Sequence, residues 1–141
     1  MRLHASCAAY DGAGVLLVGP SGCGKSDLLL RLIDAGFSLV ADDQVEVTDG
    51  RARPPASLAG LIEVRGLGIF RLDHTPDVPV RLVVALCEAP DARLPWPARD
   101  PRLDTPRVRI DAWSASAPAR VRIALACACG RTSSPVGAFA A

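Results

Sequence analysis

Val15-Leu16-Leu17-Val18-Gly19-Pro20-Ser21-Gly22-Cys23-Gly24-Lys25-Ser26-Asp27-Leu28-Leu29-Leu30-Arg31-Leu32-Ile33-Asp34-Ala35-Gly36 is the stretch that decides the fold. Its first four residues are apolar without alternation, the pattern of a central strand covered on both faces. From Lys25 onward leucines recur at helical spacing, and Gly36 stands where a helix C-cap glycine belongs. Between strand and helix, Gly19 to Ser26 fits G-x-x-x-x-G-K-[ST] at every fixed position. Chance would give such a match in about one chain in a few hundred of this length.

The mechanics of that motif explain its residue types. Glycines let backbone N–H groups converge on a phosphate without a Cβ in the way, and the helix N-terminus adds about half a positive charge. Lys25 then reaches the β- and γ-phosphates, and the Ser26 hydroxyl ligates magnesium. The candidate nucleotide site is therefore Gly19, Ser21, Gly22, Cys23, Gly24, Lys25 and Ser26, with ATP and magnesium as its ligands. Cys23 occupies a variable position and is assigned no chemistry of its own. Of the sixteen basic residues, Lys25 is the only lysine. Arginine does not substitute where a compact point charge is needed.

Working outward, residues 2 to 10 read as a strand joined to 15 to 18 through the turn Asp11-Gly12-Ala13-Gly14. On the other side, Phe37 to Ala41 reads as a short buried strand ending at Asp42-Asp43. The helix from Ser26 to Ala35 descends about 15 Å at 1.5 Å per residue, and the following strand climbs roughly as far back. A parallel crossover puts both strand ends at one sheet edge, where ligands bind in open α/β sheets. Asp42 and Asp43 thus return beside the loop. Two carboxylates there suit metal binding and proton acceptance, or else they merely cap the strand.

The rest of the chain is read more coarsely. Gln44 to Thr48 is a strand ending in an Asp49-Gly50 turn, and Arg51 to Gly60 is irregular. Leu61 to Leu72 is a strand, a glycine turn and a strand. Arg81 to Cys87 is an apolar strand. Residues 90 to 106, rich in proline and arginine, form an exposed connector. Val108 to Ile110 is a short strand, and Ala117 to Ala128 a helix with Pro118 in its first turn. The expected architecture is α/β, with a mixed central sheet and flanking helices. Residues 1–129 form one domain and 130–141 a flexible tail. Arg107, Arg109, Arg120 and Arg122 alternate as on a solvated face.

Composition bounds the function classes. The chain has 141 residues, half of them apolar and 22% charged, which suits one globular core. No apolar run reaches the roughly 18 residues that span a bilayer, and the N-terminus offers no secretory apolar segment. A cytoplasmic location is expected, without membrane attachment. A net charge of +1 with interspersed signs gives no electrostatic footprint for nucleic acid. Five cysteines and two histidines, without paired C-x-x-C spacing, indicate neither a disulfide framework nor a zinc site.

Four segments together resemble the catalytic domain of the HPr kinase/phosphorylases, enzymes that phosphorylate a serine of the phosphocarrier protein HPr. They are Leu3-His4 leading through Tyr10 and Gly14, the loop itself, Val40-Ala41-Asp42-Asp43-Gln44-Val45-Glu46, and Ile62-Glu63-Val64-Arg65-Gly66-Leu67-Gly68-Ile69. The last is similar to the family's signature of glutamate, apolar residue and Arg-Gly-Leu-Gly. The resemblance implies a phosphate-loop sheet akin to phosphoenolpyruvate carboxykinase. It implies Asp42 as general base toward the serine hydroxyl, and as acid in the reverse attack of phosphate, with Asp43 assisting. Glu63 helps hold the metal with Ser26, and His4 lies near the transferred phosphate. On residues alone His4 reads as a core or edge histidine more readily than as a site residue, and it is the resemblance that brings it to the site. Arg65 either contacts phosphate or orients Glu63.

Departures accompany the resemblance. Pro20 replaces a usual acidic residue. The loop starts at residue 19, so the family's N-terminal domain is expected to be absent, and the HPr-docking region has only a short counterpart in Arg102 to Cys127. The expected partner is HPr or an HPr-like phosphocarrier protein within carbon and phosphotransferase signalling, and homo-oligomer formation is left open. The alternative is a nucleotide-sensing module that binds ATP without transferring phosphate. The loop serves both; Asp42 and the Glu63 signature favour the kinase.

Overall fold

In a computed structural model, which describes residues 1–90 and 92–140, the chain is built on one mixed sheet flanked by two helices. Strands β1 (Arg2–Leu3), β2 (Ala5–Tyr10) and β3 (Ala13–Val18) lead through the Gly19–Ser26 loop into α1 (Lys25–Asp34), and β4 (Ser38–Ala41) follows. Then come β5 (Val45–Thr48), β6 (Arg51–Arg53), the hairpin of β7 (Leu61–Val64) and β8 (Gly68–Arg71), and the long β9 (Val78–Ala85). Last are β10 (Arg99–Asp100), β11 (Thr105–Arg109) and α2 (Ala117–Ala128).

The strand order is β1-β5-β6-β9-β3-β2-β4, with β11 added to β9. β3 and β9 run parallel, as do β9 and β11, while β2 lies antiparallel between β3 and β4. β3 and β4 therefore point the same way, and the crossover through α1 returns the chain to the edge from which it left.

Alternation along β3 distributes its side chains to two cores, as a pleated strand requires. Val15 and Leu17 pack with Leu28, Leu29 and Leu32 of α1 and with Val121 and Leu125 of α2. Leu16 faces the other way, into a cluster with Cys7, Val40, Val45, Val47, Ala52 and Val83. β5 and β6 supply part of that second cluster, so the sheet curls over its own face. Every side chain from Ala13 to Leu17 is buried, which accounts for the unbroken apolar run. Burial also pushes the Cys7 thiol far above its ordinary value.

The ends of α1 are specified locally. Asp27 pairs with Arg31 one turn on, at 2.9 Å. At the C-terminus the amides of Gly36 and Phe37 donate to the carbonyls of Ile33 (3.0 Å) and Leu32 (2.9 Å), the paired bonds of a Schellman ending. Tyr10 and Phe37 meet beyond it with centroids 5.0 Å apart, and the Arg122 guanidinium lies 4.7 Å over the Tyr10 ring while donating to the Ala35 carbonyl.

Two expectations need correction. Arg51 to Gly60 is not irregular throughout, since β6 pairs with both β5 and β9. The 90 to 106 segment is only partly a connector. It contains β10 and the start of β11, and Asp100 is buried, its carboxylate accepting from the amides of Arg102 (2.9 Å) and Leu103 (3.2 Å). Pro106 is tolerated because β11 meets β9 only through Arg107 to Arg109, leaving Pro106 outside that ladder. Of the alternating arginines, Arg109, Arg120 and Arg122 are exposed and Arg107 half-buried, as on a solvated face; Arg107 also binds both oxygens of Glu88 at 2.8 and 3.1 Å, and Arg122 joins α2 to the end of α1. After α2, Arg131 pairs with Asp11 at 3.0 Å and Phe139 packs against the helical core.

Replacing Leu17 by alanine should lower the unfolding free energy by about 3 kcal/mol, the cost of a cavity at a fully buried leucine. Ile123, which is 64% exposed, provides the control. Urea denaturation should place Ile123→Ala within about 0.5 kcal/mol of the parent.

Candidate active site

The Gly19–Ser26 loop leaves the end of β3 and wraps the start of α1. Gly24 caps the helix with φ +93°, a left-handed conformation that suits glycine. A Cβ there would also lie 2.9 Å from Ala112 Cβ and 3.2 Å from Trp113 Cζ2. At Gly19 a Cβ would come within 2.6 Å of Cys23 Sγ and 3.1 Å of the Leu86 carbonyl oxygen. Both glycines are thus required by contact with the ends of neighbouring strands. Lys25 is buried, and its Nζ donates to the carbonyls of Gly19 (2.7 Å) and Pro20 (3.0 Å), on the inner side of the loop. Cys23 is buried beneath it. Partial desolvation, and then a hydrogen bond with the Cys23 thiol, raise the Cys87 thiol above its ordinary value.

Beyond the end of β4, Asp42 meets the loop. Its Oδ1 accepts from Ser26 Oγ at 2.7 Å and from Ser6 Oγ at 3.3 Å, and its Oδ2 accepts from the Glu63 amide at 3.3 Å. A carboxylate only accepts, so three donors from three elements satisfy both oxygens and fix the group in place. Asp43 follows with φ +67°, a left-handed conformation that aspartate tolerates better than most residues. That kink sends its side chain to His4, whose Nε2 lies 2.6 Å from Asp43 Oδ1. The Asp43 carbonyl accepts from the Ala5 amide at 3.1 Å and anchors the turn to β2.

The structure therefore brings together the loop, Asp42, Asp43 and His4. Glu63 reaches the group through its main chain, as its side chain is exposed on β7. Among the described residues no three His, Cys, Asp or Glu side chains converge to hold a metal ion. Ser26 Oγ and the Asp42 carboxylate are the adjoining oxygen donors. They fit magnesium, which uses one or two carboxylates together with substrate phosphates. Ser6 is the residue that the motifs did not single out. It is fully buried, donates to Asp42 and accepts from the Asp43 amide at 3.3 Å, bridging the two aspartates. Its one signal in the sequence is a hydroxyl within the otherwise apolar run Ala5 to Ala9.

The fold and this site define an α/β domain whose glycine-rich loop faces a carboxylate pair. The family model described as HPr Serine kinase C-terminal domain matches residues 1–75, and the chain belongs to that family. An HPr kinase/phosphorylase of Clostridium beijerinckii is 46% identical over 73 residues, covering 49% of this chain and 24% of that protein. Another of Aromatoleum aromaticum is 52% identical over 79 residues, 51% of this chain and 25% of that one. The chain thus spans about a quarter of the length of these curated relatives. A solved Hpr(Ser) kinase/phosphatase from Coxiella burnetii superposes with a TM-score of 0.70 over 87% of each chain, at 23% identity, a likeness of fold. No described helix is long and apolar enough to cross a membrane.

Ser6→Ala should destabilise the protein by about 1–2 kcal/mol, because a buried hydroxyl that bonds both the Asp42 carboxylate and the Asp43 amide is lost. Urea unfolding reads this directly. A loss below about 0.5 kcal/mol, the range of an ordinary surface change, would show that the hydroxyl does not hold the aspartate pair.

Proposed function

We propose that the site transfers the γ-phosphoryl group of ATP to a serine hydroxyl of HPr or an HPr-like phosphocarrier protein. The observation that carries this reading is the 2.7 Å hydrogen bond from Ser26 to Asp42, which sets a carboxylate beside the last residue of the loop. A module that only sensed nucleotide would have no use for a proton acceptor there. Family membership over residues 1–75 supports the same chemistry.

The roles follow from position. Amides of the loop and Lys25 Nζ bind the β- and γ-phosphates, whose oxygens take over donors now directed at the Gly19 and Pro20 carbonyls. Ser26, with the adjoining Asp42 carboxylate and with Glu63, would hold magnesium, which would offset negative charge on the phosphates. Asp42 accepts the proton of the attacking serine hydroxyl. As the new oxygen–phosphorus bond forms, the bond from the γ-phosphorus to the bridging oxygen breaks and ADP leaves with that electron pair. His4 holds Asp43 in the arrangement that keeps Asp42 turned to the loop. Positioning and charge supply most of the rate in such transfers.

Two variants separate these roles. Lys25→Met should weaken ATP binding and abolish labelling of serine from γ-labelled ATP, since there is no second lysine in the chain. Unchanged affinity by calorimetry, with unchanged turnover, would remove the loop from the mechanism. Asp42→Asn should retain ATP binding while lowering transfer by about 10² or more, the usual worth of a positioned general base. If binding collapses while transfer per bound nucleotide stays normal, Asp42 serves the metal and not the proton.

A further inference from the structure

Strands β3, β9 and β11 are successive parallel neighbours, so their C-terminal ends line one edge of the sheet. After β3 comes the Gly19–Ser26 loop, after β9 Leu86 to Glu88, and after β11 the turn Asp111 to Ser114. A ligand fixed by its phosphates on the loop and extended along this edge passes the end of β9 and arrives at the β11 turn. Trp113 stands there.

Trp113 is 64% exposed, yet its indole lies beside the loop: a Cβ added at Gly24 would stand 3.2 and 3.4 Å from its Cζ2 and Cε2. Its neighbours Ile110 and Ala112 are buried and make the contact with the core. The turn itself is held rigidly. The Trp113 amide donates to Asp111 Oδ1 at 3.0 Å, and Arg31 of α1 donates to the carbonyls of Ala112 and Ser114, the latter at 3.3 Å. A large aromatic group carried on a hydrogen-bonded turn beside a glycine-rich loop, with most of its surface open, suits a stacking platform better than a core position.

We propose that Trp113 carries the base of the bound nucleotide, its indole stacking on the planar ring of a nucleoside triphosphate whose phosphates lie in the Gly19–Ser26 loop. The inference rests on the nucleotide reading of that loop and adds the contact that distinguishes a nucleotide from a bare polyphosphate. Stacking accepts any base with a π-face, so Trp113 favours nucleotides as a class without separating adenine from guanine.

The test uses the full chain carrying Trp96→Phe, which leaves Trp113 as the sole tryptophan. ATP, GTP and inorganic tripolyphosphate are titrated with magnesium present. Both nucleotides should quench the Trp113 emission, and tripolyphosphate should leave it unchanged. In calorimetry, Trp113→Ala should weaken ATP about 5- to 50-fold and tripolyphosphate less than about 2-fold, while Trp113→Phe keeps ATP within about 3-fold of the parent. Equal weakening of ATP and tripolyphosphate by Trp113→Ala would overturn the proposal, because the indole would then only shape the loop. If the parent binds tripolyphosphate and ATP equally well, with no quenching, the stacking contact is likewise refuted while the loop reading stands. Binding of neither ligand would overturn the loop reading and this inference together.

Discussion

The hydrogen bond from Ser26 to Asp42 is the contact on which the site depends, because it joins two segments that the fold brings to one sheet edge by separate routes. Ser26 is placed by the start of α1 and Asp42 by the end of β4, and β2 lies between β3 and β4. The spacing of the two side chains is therefore set by sheet register and by the length of α1. A helix one turn longer or shorter would displace Asp42 by about 5 Å and break the contact. Ser6 and the Glu63 amide then hold the carboxylate from β2 and from the β7–β8 hairpin.

The second support is the attachment of α1 to the C-terminal half of the chain. Arg31, in the last turn of α1, reaches the turn after β11, and Arg122 of α2 reaches the Ala35 carbonyl at the C-cap of the same helix. These charged donors tie the C-terminal part of α1 to the turn after β11 and to α2, where apolar packing alone, being nondirectional, would leave its rotation less defined. Exchange of Arg31 to lysine would not reproduce its forked contact with Asp27 and the carbonyls of Ala112 and Ser114.

Much of this was legible in the sequence, for identifiable reasons. The loop is fixed by glycine and lysine positions, α1 by leucine spacing, and the return of Asp42 beside the loop by counting residues down a helix and up a strand. β6 was hidden because Arg51-Ala52-Arg53 buries a single small residue and shows charge on both sides of it. Prolines disguised β10 and the first residues of β11, where β10 pairs with β11 and β11 in turn with β9 rather than following local propensity. Ser6 and Trp113 act through contacts distant in sequence, to which periodicity is blind. The Asp43 kink and its contact with His4 likewise depend on the junction of β4 with β2, although resemblance had placed both residues near the site.

The central claim, that the loop and the aspartate edge form one mechanical unit, is tested most directly by a double-mutant cycle on unfolding free energy. Ser26→Ala, Asp42→Ala and the double variant are compared with the parent in urea. The account predicts a coupling of about 1 kcal/mol, since a hydrogen bond to a charged group is lost in full with either partner. Losses that add to within about 0.3 kcal/mol would contradict it, showing that Ser26 and Asp42 are neighbours without being joined.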